Sequence, residues 1–164
     1  MKGSVKASRG DFRSVVAADE PALENLYREQ TGPSLGFLMT LLGQGRCHGW
    51  LMMPAGRPVG AIWFSLVAGE AELLDIRIHQ ASRGQGLGRR LLAAGLAALA
   101  RMGAGTCYLE VRRSNAVAQQ LYRQHRFVES GCRRDYYRSG QTREDAIQMT
   151  LDMEATAAHE HPGD

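Results

Sequence analysis

The sequence has 164 residues, which is enough for one domain with a substantial hydrophobic core. It is 44% hydrophobic and 23% charged, as globular proteins usually are, and no apolar run approaches the roughly 20 residues that cross a membrane. The basic N-terminus has no apolar segment behind it, which argues against a secretory signal and favours a cytoplasmic protein.

Composition also predicts the boundaries of the domain. Residues 1–10 have the character of a flexible leader and 154–164 that of a disordered tail, so the folded domain is expected to span 11–153. The three cysteines form no C-x-x-C pair, and the five histidines lack metal-ligand spacing. We therefore expect reduced thiols and no metal site.

The formal net charge is +3. Arginines are concentrated near residues 83–90, 112–113 and 133–134. This distribution is compatible with a polyanionic ligand, with contact to a ribosomal or nucleic-acid surface, or with a solvated face.

The first half of the chain is predicted to be rich in strands. A short strand from Phe12 to Ala17 comes first, and Asp19, a favourable N-cap, opens a helix. A second short helix is expected from Ser34 to Leu42. Three strands joined by tight turns then form an antiparallel meander, and they span Cys47 to Met53, Val59 to Val67 and Ala71 to Ile78.

A glycine-rich turn, residues 83–88, joins the third of these strands to a long amphipathic helix pattern from Leu87 to Met102. A strand, a glycine turn and a helix N-terminus together make an anion site, because the first helical N–H groups have no partner and glycine admits a close approach. The glycine spacing does not match a dinucleotide fingerprint, and the lysine of a nucleoside-triphosphate loop is missing. Tight packing of the turn is the alternative interpretation.

The second half alternates strands and helices. Thr106 to Arg112 is a predicted strand that turns Cys107 toward the core, and Ser114 or Asn115 caps the next helix. The order predicts an α/β domain with a mixed sheet. The remaining elements are that helix to about Gln124, a strand from Phe127 to Arg133, a loop from Tyr136 to Thr142 and a strand from Ala146 to Leu151.

Four short motifs share one resemblance. They are Arg83-x-x-Gly86-x-Gly88, the block Leu109 to Asn115 with Leu121-Tyr122, Arg134-x-Tyr136-Tyr137, and Arg143 to Met149. In this order and spacing they resemble the GNAT superfamily of N-acetyltransferases, in particular the bacterial ribosomal-protein alanine N-acetyltransferases. The resemblance covers Leu74 to Leu151 and implies a single-domain GNAT-like fold, mostly antiparallel, whose central sheet splays apart where acetyl-CoA binds.

The resemblance also implies a role for each matched residue. Glu110 would be the general base, Tyr122 the general acid, and Asn115 would contact the cofactor arm. The pantetheine arm would pair like an added strand with the backbone of Ile76, Arg77 and Ile78. The pyrophosphate would be wrapped by N–H groups of Arg83, Gly84, Gln85, Gly86, Leu87, Gly88 and Arg89.

General chemistry agrees with these roles. Acetyl transfer needs an unprotonated amine, and an N-terminal amine, with a pKa of about 7.7–8.0, loses its proton more easily than lysine at about 10.4. A carboxylate is a weak base for that proton, so burial or a relaying water must help it. A tyrosine can donate a hydrogen bond and a proton to the leaving thiolate. No covalent intermediate is required, so Cys107 need not be a nucleophile.

The acceptor is less well defined than the co-substrate. Residues 29–45, which shape the acceptor site in the family, show no match, and His125-Arg126 stands where a Leu-Gly pair is usual. The first hypothesis is the N-terminal α-amine of a protein, such as an alanine-starting ribosomal protein; the second is a small amine or amino acid. A non-catalytic CoA-binding module is the third, and His79 is a rival base. We expect no membrane or direct nucleic-acid partner.

Overall fold

One seven-stranded sheet runs through the computed structural model, which describes residues 11–29 and 31–154. Its strands are β1 (Phe12–Ser14), β2 (His48–Met52), β3 (Gly60–Val67), β4 (Glu70–Ile78), β5 (Thr106–Arg112), β6 (Val128–Ser139) and β7 (Thr142–Asp152). They lie in the order β1-β2-β3-β4-β5-β7-β6, and only the β4–β5 pair is parallel. The predicted mixed, mostly antiparallel sheet is therefore confirmed, while the predicted leader and residues 155–164 of the predicted tail lie outside the described residues.

Four α-helices flank the sheet, and none in the described chain is long and apolar enough to cross a membrane. The short helix predicted from Ser34 to Leu42 is present, and Ser34 is its N-cap, since its Oγ accepts a hydrogen bond from the Phe37 N–H at 3.2 Å. The helices are α1 (Glu20–Leu23), α2 (Leu35–Gly43), α3 (Leu87–Arg101) and α4 (Ala116–Gln124).

Two apolar cores form on opposite faces of the sheet. Helices α3 and α4 cover one face, where Cys107, Leu109 and Val111 of β5 are buried. Helices α1 and α2 cover the other face, but only over β2, β3 and β4. The corresponding face of β5, β7 and β6 carries polar side chains, among them Glu110 and Gln148, and we call it the polar face.

A bulge in β4 changes which of its side chains face which core. Trp63 lies opposite Asp75, but Phe64 lies opposite Leu73, so Leu74 is an extra residue. Leu74 consequently packs on the α1–α2 side, whereas Ile76 and Ile78 pack on the α3–α4 side. The sequence pattern places these three residues on one face, and that expectation is wrong for Leu74.

The sheet divides between β4 and β5, as the GNAT resemblance implies. These strands pair only from Glu70 to Glu72 on β4 and from Thr106 to Tyr108 on β5. Beyond Glu72 the edge of β4 that faces β5 has no strand partner among the described residues. A gap therefore opens between residues 73–78 of β4 and the C-terminal half of β5.

Two local predictions are corrected by the structure. Asp19 does not cap α1 through its side chain; its carboxylate pairs with Arg13 at 2.7 Å and accepts a hydrogen bond from the Val16 N–H at 2.8 Å. The Arg13 guanidinium and this N–H hold the pKa of Asp19 below its usual value. The segment from Tyr136 to Thr142 is not a loop, because β6 and β7 stay paired as far as Ser139 and Thr142.

Candidate active site

The N-terminus of α3 offers a site for an anion. Gly84 and Gly86 have φ angles of 75° and 73°, and a Cβ at either position would meet nothing within 4 Å. The first helical hydrogen bond runs from the Arg90 N–H to the Gly86 carbonyl, so the N–H groups of Leu87, Gly88 and Arg89 precede it. In the described chain no side chain caps this end. The turn thus leaves main-chain donors and open space for a phosphate.

The free edge of β4 leads to this helix terminus. The His79 N–H donates to the Val59 carbonyl on the β3 side at 2.8 Å. Since main-chain groups alternate along a strand, those of Ile76 and Ile78 face the gap, and those of Arg77 face β3, opposite Ala61. Of the three predicted backbone partners, Ile76 and Ile78 therefore have main-chain groups that face the gap, whereas those of Arg77 face β3.

The side chain of Arg77 makes several contacts on the α1–α2 side of the sheet. The guanidinium pairs with Asp75 at 3.0 Å, lies 3.9 Å over the Tyr27 ring, and donates 2.7 Å to the Thr31 carbonyl. The same group reaches the carbonyls of Leu26 and Glu29. Arg77 therefore fastens the segment before α2 to β4, beside a cavity of about 510 Å³ that this segment lines.

Arg83 connects the glycine turn to the same segment. Its Nε donates to the Ile78 carbonyl at 3.1 Å, and its terminal nitrogen pairs with Glu29 at 2.9 Å. Both partners of this ion pair are half exposed, so its contribution to stability is small. Arg83 is consequently available to an anion at the α3 terminus.

Glu110 lies on the polar face, beside the gap. Its Oε1 forms an ion pair with Arg133, whose Nε lies 2.8 Å away, and accepts a hydrogen bond from Gln148 Nε2 at 3.3 Å. Tyr137 stands on the same face, where Arg112 lies 4.3 Å over its ring. Sequence analysis gives neither Arg133 nor Tyr137 a role, because their proximity to Glu110 depends on the strand order β5-β7-β6.

Tyr122 approaches from the opposite face. It projects from α4 into the α3–α4 core, is 6% exposed, and its ring centroid lies 5.9 Å from that of Phe127. Burial, with smaller contributions from the charges of Asp75 and Tyr137, raises the pKa of Tyr122. Its hydroxyl therefore stays protonated at physiological pH and can act as a donor.

The two remaining candidates, Asn115 and His79, each accept one hydrogen bond from a main-chain N–H group. Asn115 Oδ1 caps α4 by accepting from the Ala118 N–H at 3.1 Å, which leaves its amide NH₂ to donate elsewhere. His79 Nδ1 accepts from the Ala81 N–H at 3.3 Å, so one ring nitrogen of this rival base is engaged. No group of three or more potential metal ligands occurs within residues 11–29 and 31–154.

Comparison with known proteins finds similarity to acetyltransferases. The model of the acetyltransferase (GNAT) family matches residues 12–127. The ribosomal protein bS18-alanine N-acetyltransferase of Escherichia coli K12 is 44% identical over 86 residues, which are 52% of this chain and 58% of that protein. The N-alpha-acetyltransferase RimI of Mycobacterium tuberculosis is 46% identical over 69 residues, 42% of each chain. The chain thus matches 58% of the length of the first of these curated relatives and 42% of the second.

Solved structures extend the likeness over most of the domain. The E. coli ribosomal-protein-S18-alanine N-acetyltransferase superimposes with a TM-score of 0.77 at 32% identity, over 87% of this chain and 92% of that one. The spermidine/spermine N-acetyltransferase SpeG of Vibrio cholerae gives a TM-score of 0.77 at 19% identity, over 92% and 96% of the two chains. The second likeness concerns the fold alone.

Proposed function

Because the chain belongs to the GNAT family of acetyltransferases, we propose that it transfers the acetyl group of acetyl-CoA to the N-terminal α-amine of a protein. The observation that carries this proposal is the gap between β4 and β5, whose free β4 edge ends at the open N-terminus of α3. An extended chain with a pyrophosphate at one end matches the shape and hydrogen-bonding capacity of this path.

Acetyl-CoA is expected to bind along that path. The pyrophosphate would accept hydrogen bonds from N–H groups of residues 84–89, with Arg83 supplying a cation. The pantetheine arm would pair with the main chain of Ile76 and Ile78, and the Asn115 amide would donate to it. The thioester would then lie in the gap, between Glu110 and Tyr122.

The two proposed catalytic side chains approach the gap from opposite faces of the sheet. The acceptor would enter on the polar face, where Glu110 takes a proton from the amine, and its nitrogen would attack the thioester carbon. The carbon–sulfur bond then breaks, and Tyr122 donates a proton to the departing thiolate on the other face. The products are an amide and a thiol, and solvent returns Glu110 and Tyr122 to their starting protonation states.

An N-terminal amine is a better acceptor than a lysine. Its pKa lies about 2.5 units lower, which makes the free amine less costly by about 3.4 kcal/mol. The similarity of this chain to ribosomal-protein alanine N-acetyltransferases supports an alanine-starting ribosomal protein as its acceptor.

The test is thiol release from acetyl-CoA with a panel of acceptors. The panel contains a peptide with a free N-terminal alanine, the same peptide N-terminally blocked but carrying an internal lysine, and free amino acids and polyamines. We expect turnover with the free alanine peptide. Turnover confined to small amines would refute the protein acceptor, and acetyl-CoA binding without any turnover would support a binding module instead.

A further inference from the structure

Arg133 occupies the position where an acceptor amine must arrive. Its Nε lies 2.8 Å from Glu110 Oε1, the carboxylate that we propose as the base. An ammonium or amine reaching Glu110 from the polar face therefore competes with a guanidinium that is already there. The Arg133 side chain is 54% exposed and that of Glu110 is 21% exposed, so the arginine is the partner that can move into solvent.

The other arginine of this face is held more firmly by neighbours. Arg112 pairs with Glu144 at 3.3 Å and covers the Tyr137 ring, and Glu144 also accepts from the Ser114 N–H. Among the described residues, by contrast, Arg133 makes a single ion pair, with Glu110, and lies 5.4 Å over the half-exposed Tyr136 ring. When Glu110 binds the amine instead of Arg133, the Arg133 guanidinium is left without its carboxylate partner and can donate a hydrogen bond next to the reacting nitrogen.

The strand that carries Arg133 allows such a movement. The pairing of β6 with β7 is irregular between Arg133 and Tyr137, and Asp135 within this bulge has a φ angle of 53°. The Arg133 backbone itself remains in register with Ala146. Its side chain can therefore reorient while the strand stays paired.

We propose that Arg133 determines acceptor specificity: displaced from Glu110, it binds the carbonyl oxygen adjacent to the attacking amine. This inference rests on the proposed acetyltransfer and extends it to the chemical class of the acceptor. An N-terminal residue has a carbonyl separated from its nitrogen by one carbon, so it offers the acceptor atom that Arg133 needs. A polyamine offers no such oxygen and brings a second cation, which the displaced Arg133 repels.

The experiment compares two acceptors in wild type and three variants. The variants are Arg133→Gln, Arg133→Lys and, as a matched control, Arg138→Gln, which removes the same charge from the same strand on its opposite face. For each protein kcat and KM are measured with the alanine-starting peptide and with spermidine. Circular dichroism and acetyl-CoA affinity establish that each variant is folded and binds the co-substrate.

We expect Arg133→Gln to lower kcat/KM for the peptide on the order of tenfold to a hundredfold, through the loss of a charge-assisted hydrogen bond. For spermidine kcat/KM should rise by about threefold, because one repelling charge is gone. Arg133→Lys should restore part of the peptide activity, and Arg138→Gln should leave the ratio of the two acceptors unchanged.

Three results would count against the inference, and they can be told apart. If Arg133→Gln changes both acceptors by the same factor, Arg133 only positions Glu110 and does not select the acceptor. If Arg133→Gln leaves the peptide rate unchanged, Arg133 plays no part at all. If wild-type protein fails to acetylate the peptide, the proposed function itself is wrong.

Discussion

Replacing Gly86 with glutamate tests the assignment of the α3 N-terminus as the pyrophosphate site. The φ angle of 73° imposes a strain of about 1–2 kcal/mol on any other residue. The new side chain would project into open space, where the phosphates are expected. A carboxylate about 5 Å from one phosphate charge, at an effective dielectric constant of about 20, costs roughly 3 kcal/mol. We therefore expect acetyl-CoA affinity to fall by at least about a hundredfold.

Gly103→Glu is the matched control for this experiment. Gly103 follows the opposite end of α3, has a φ angle of 87°, and a Cβ there also meets nothing within 4 Å. Both variants should lose similar thermal stability, but only Gly86→Glu should lose acetyl-CoA binding in isothermal titration calorimetry. Binding within threefold of wild type in Gly86→Glu, or an equal loss in both variants, would refute the assignment.

Three further substitutions test the other assigned roles. Glu110→Gln should slow peptide acetylation most below about pH 8, where the amine is protonated; a loss of kcat/KM that is uniform with pH would point to another base. Tyr122→Phe should lower kcat about a hundredfold with little change in acetyl-CoA affinity, and an unchanged kcat would remove its role. Arg77→Met should lower the free energy of unfolding in urea by about 3–5 kcal/mol, because Asp75 and three carbonyls lose their donor; a loss below about 1 kcal/mol would show that these contacts contribute little.

Local sequence patterns were sufficient to predict most of the helices and strands. The alternation in Thr106–Arg112 predicts β5 with its observed bounds, and the apolar spacing after Gly86 predicts α3 to within one residue. The glycine turn predicted between β4 and α3 is present, and Gly84 and Gly86 in it adopt the left-handed conformation that glycine accommodates most readily. These features depend on neighbours in sequence, so the sequence reveals them directly.

Features that depend on the sheet as a whole were not predictable in the same way. The bulge at Leu74 interrupts an alternation that looks regular along the chain, because the extra residue is defined only by its pairing with β3. The Arg133–Glu110 pair joins residues brought near one another by β7, which lies between their strands. The side chain of Arg77 contacts Tyr27 and the Thr31 carbonyl, which are distant in sequence and are brought near it by the fold.

The three residue pairs between β4 and β5 have a mechanical consequence. The two parts of the sheet also share the core between the sheet and helices α3 and α4, which includes Ile62 and Leu73 on one side and Leu109 and Ile147 on the other. A co-substrate lying in the gap would contact both parts of the sheet and hold them together. At a hundredfold excess over its Kd it would stabilise the domain by about 2.7 kcal/mol. The resistance of this protein to unfolding and degradation in a cell is therefore expected to increase with the concentration of acetyl-CoA.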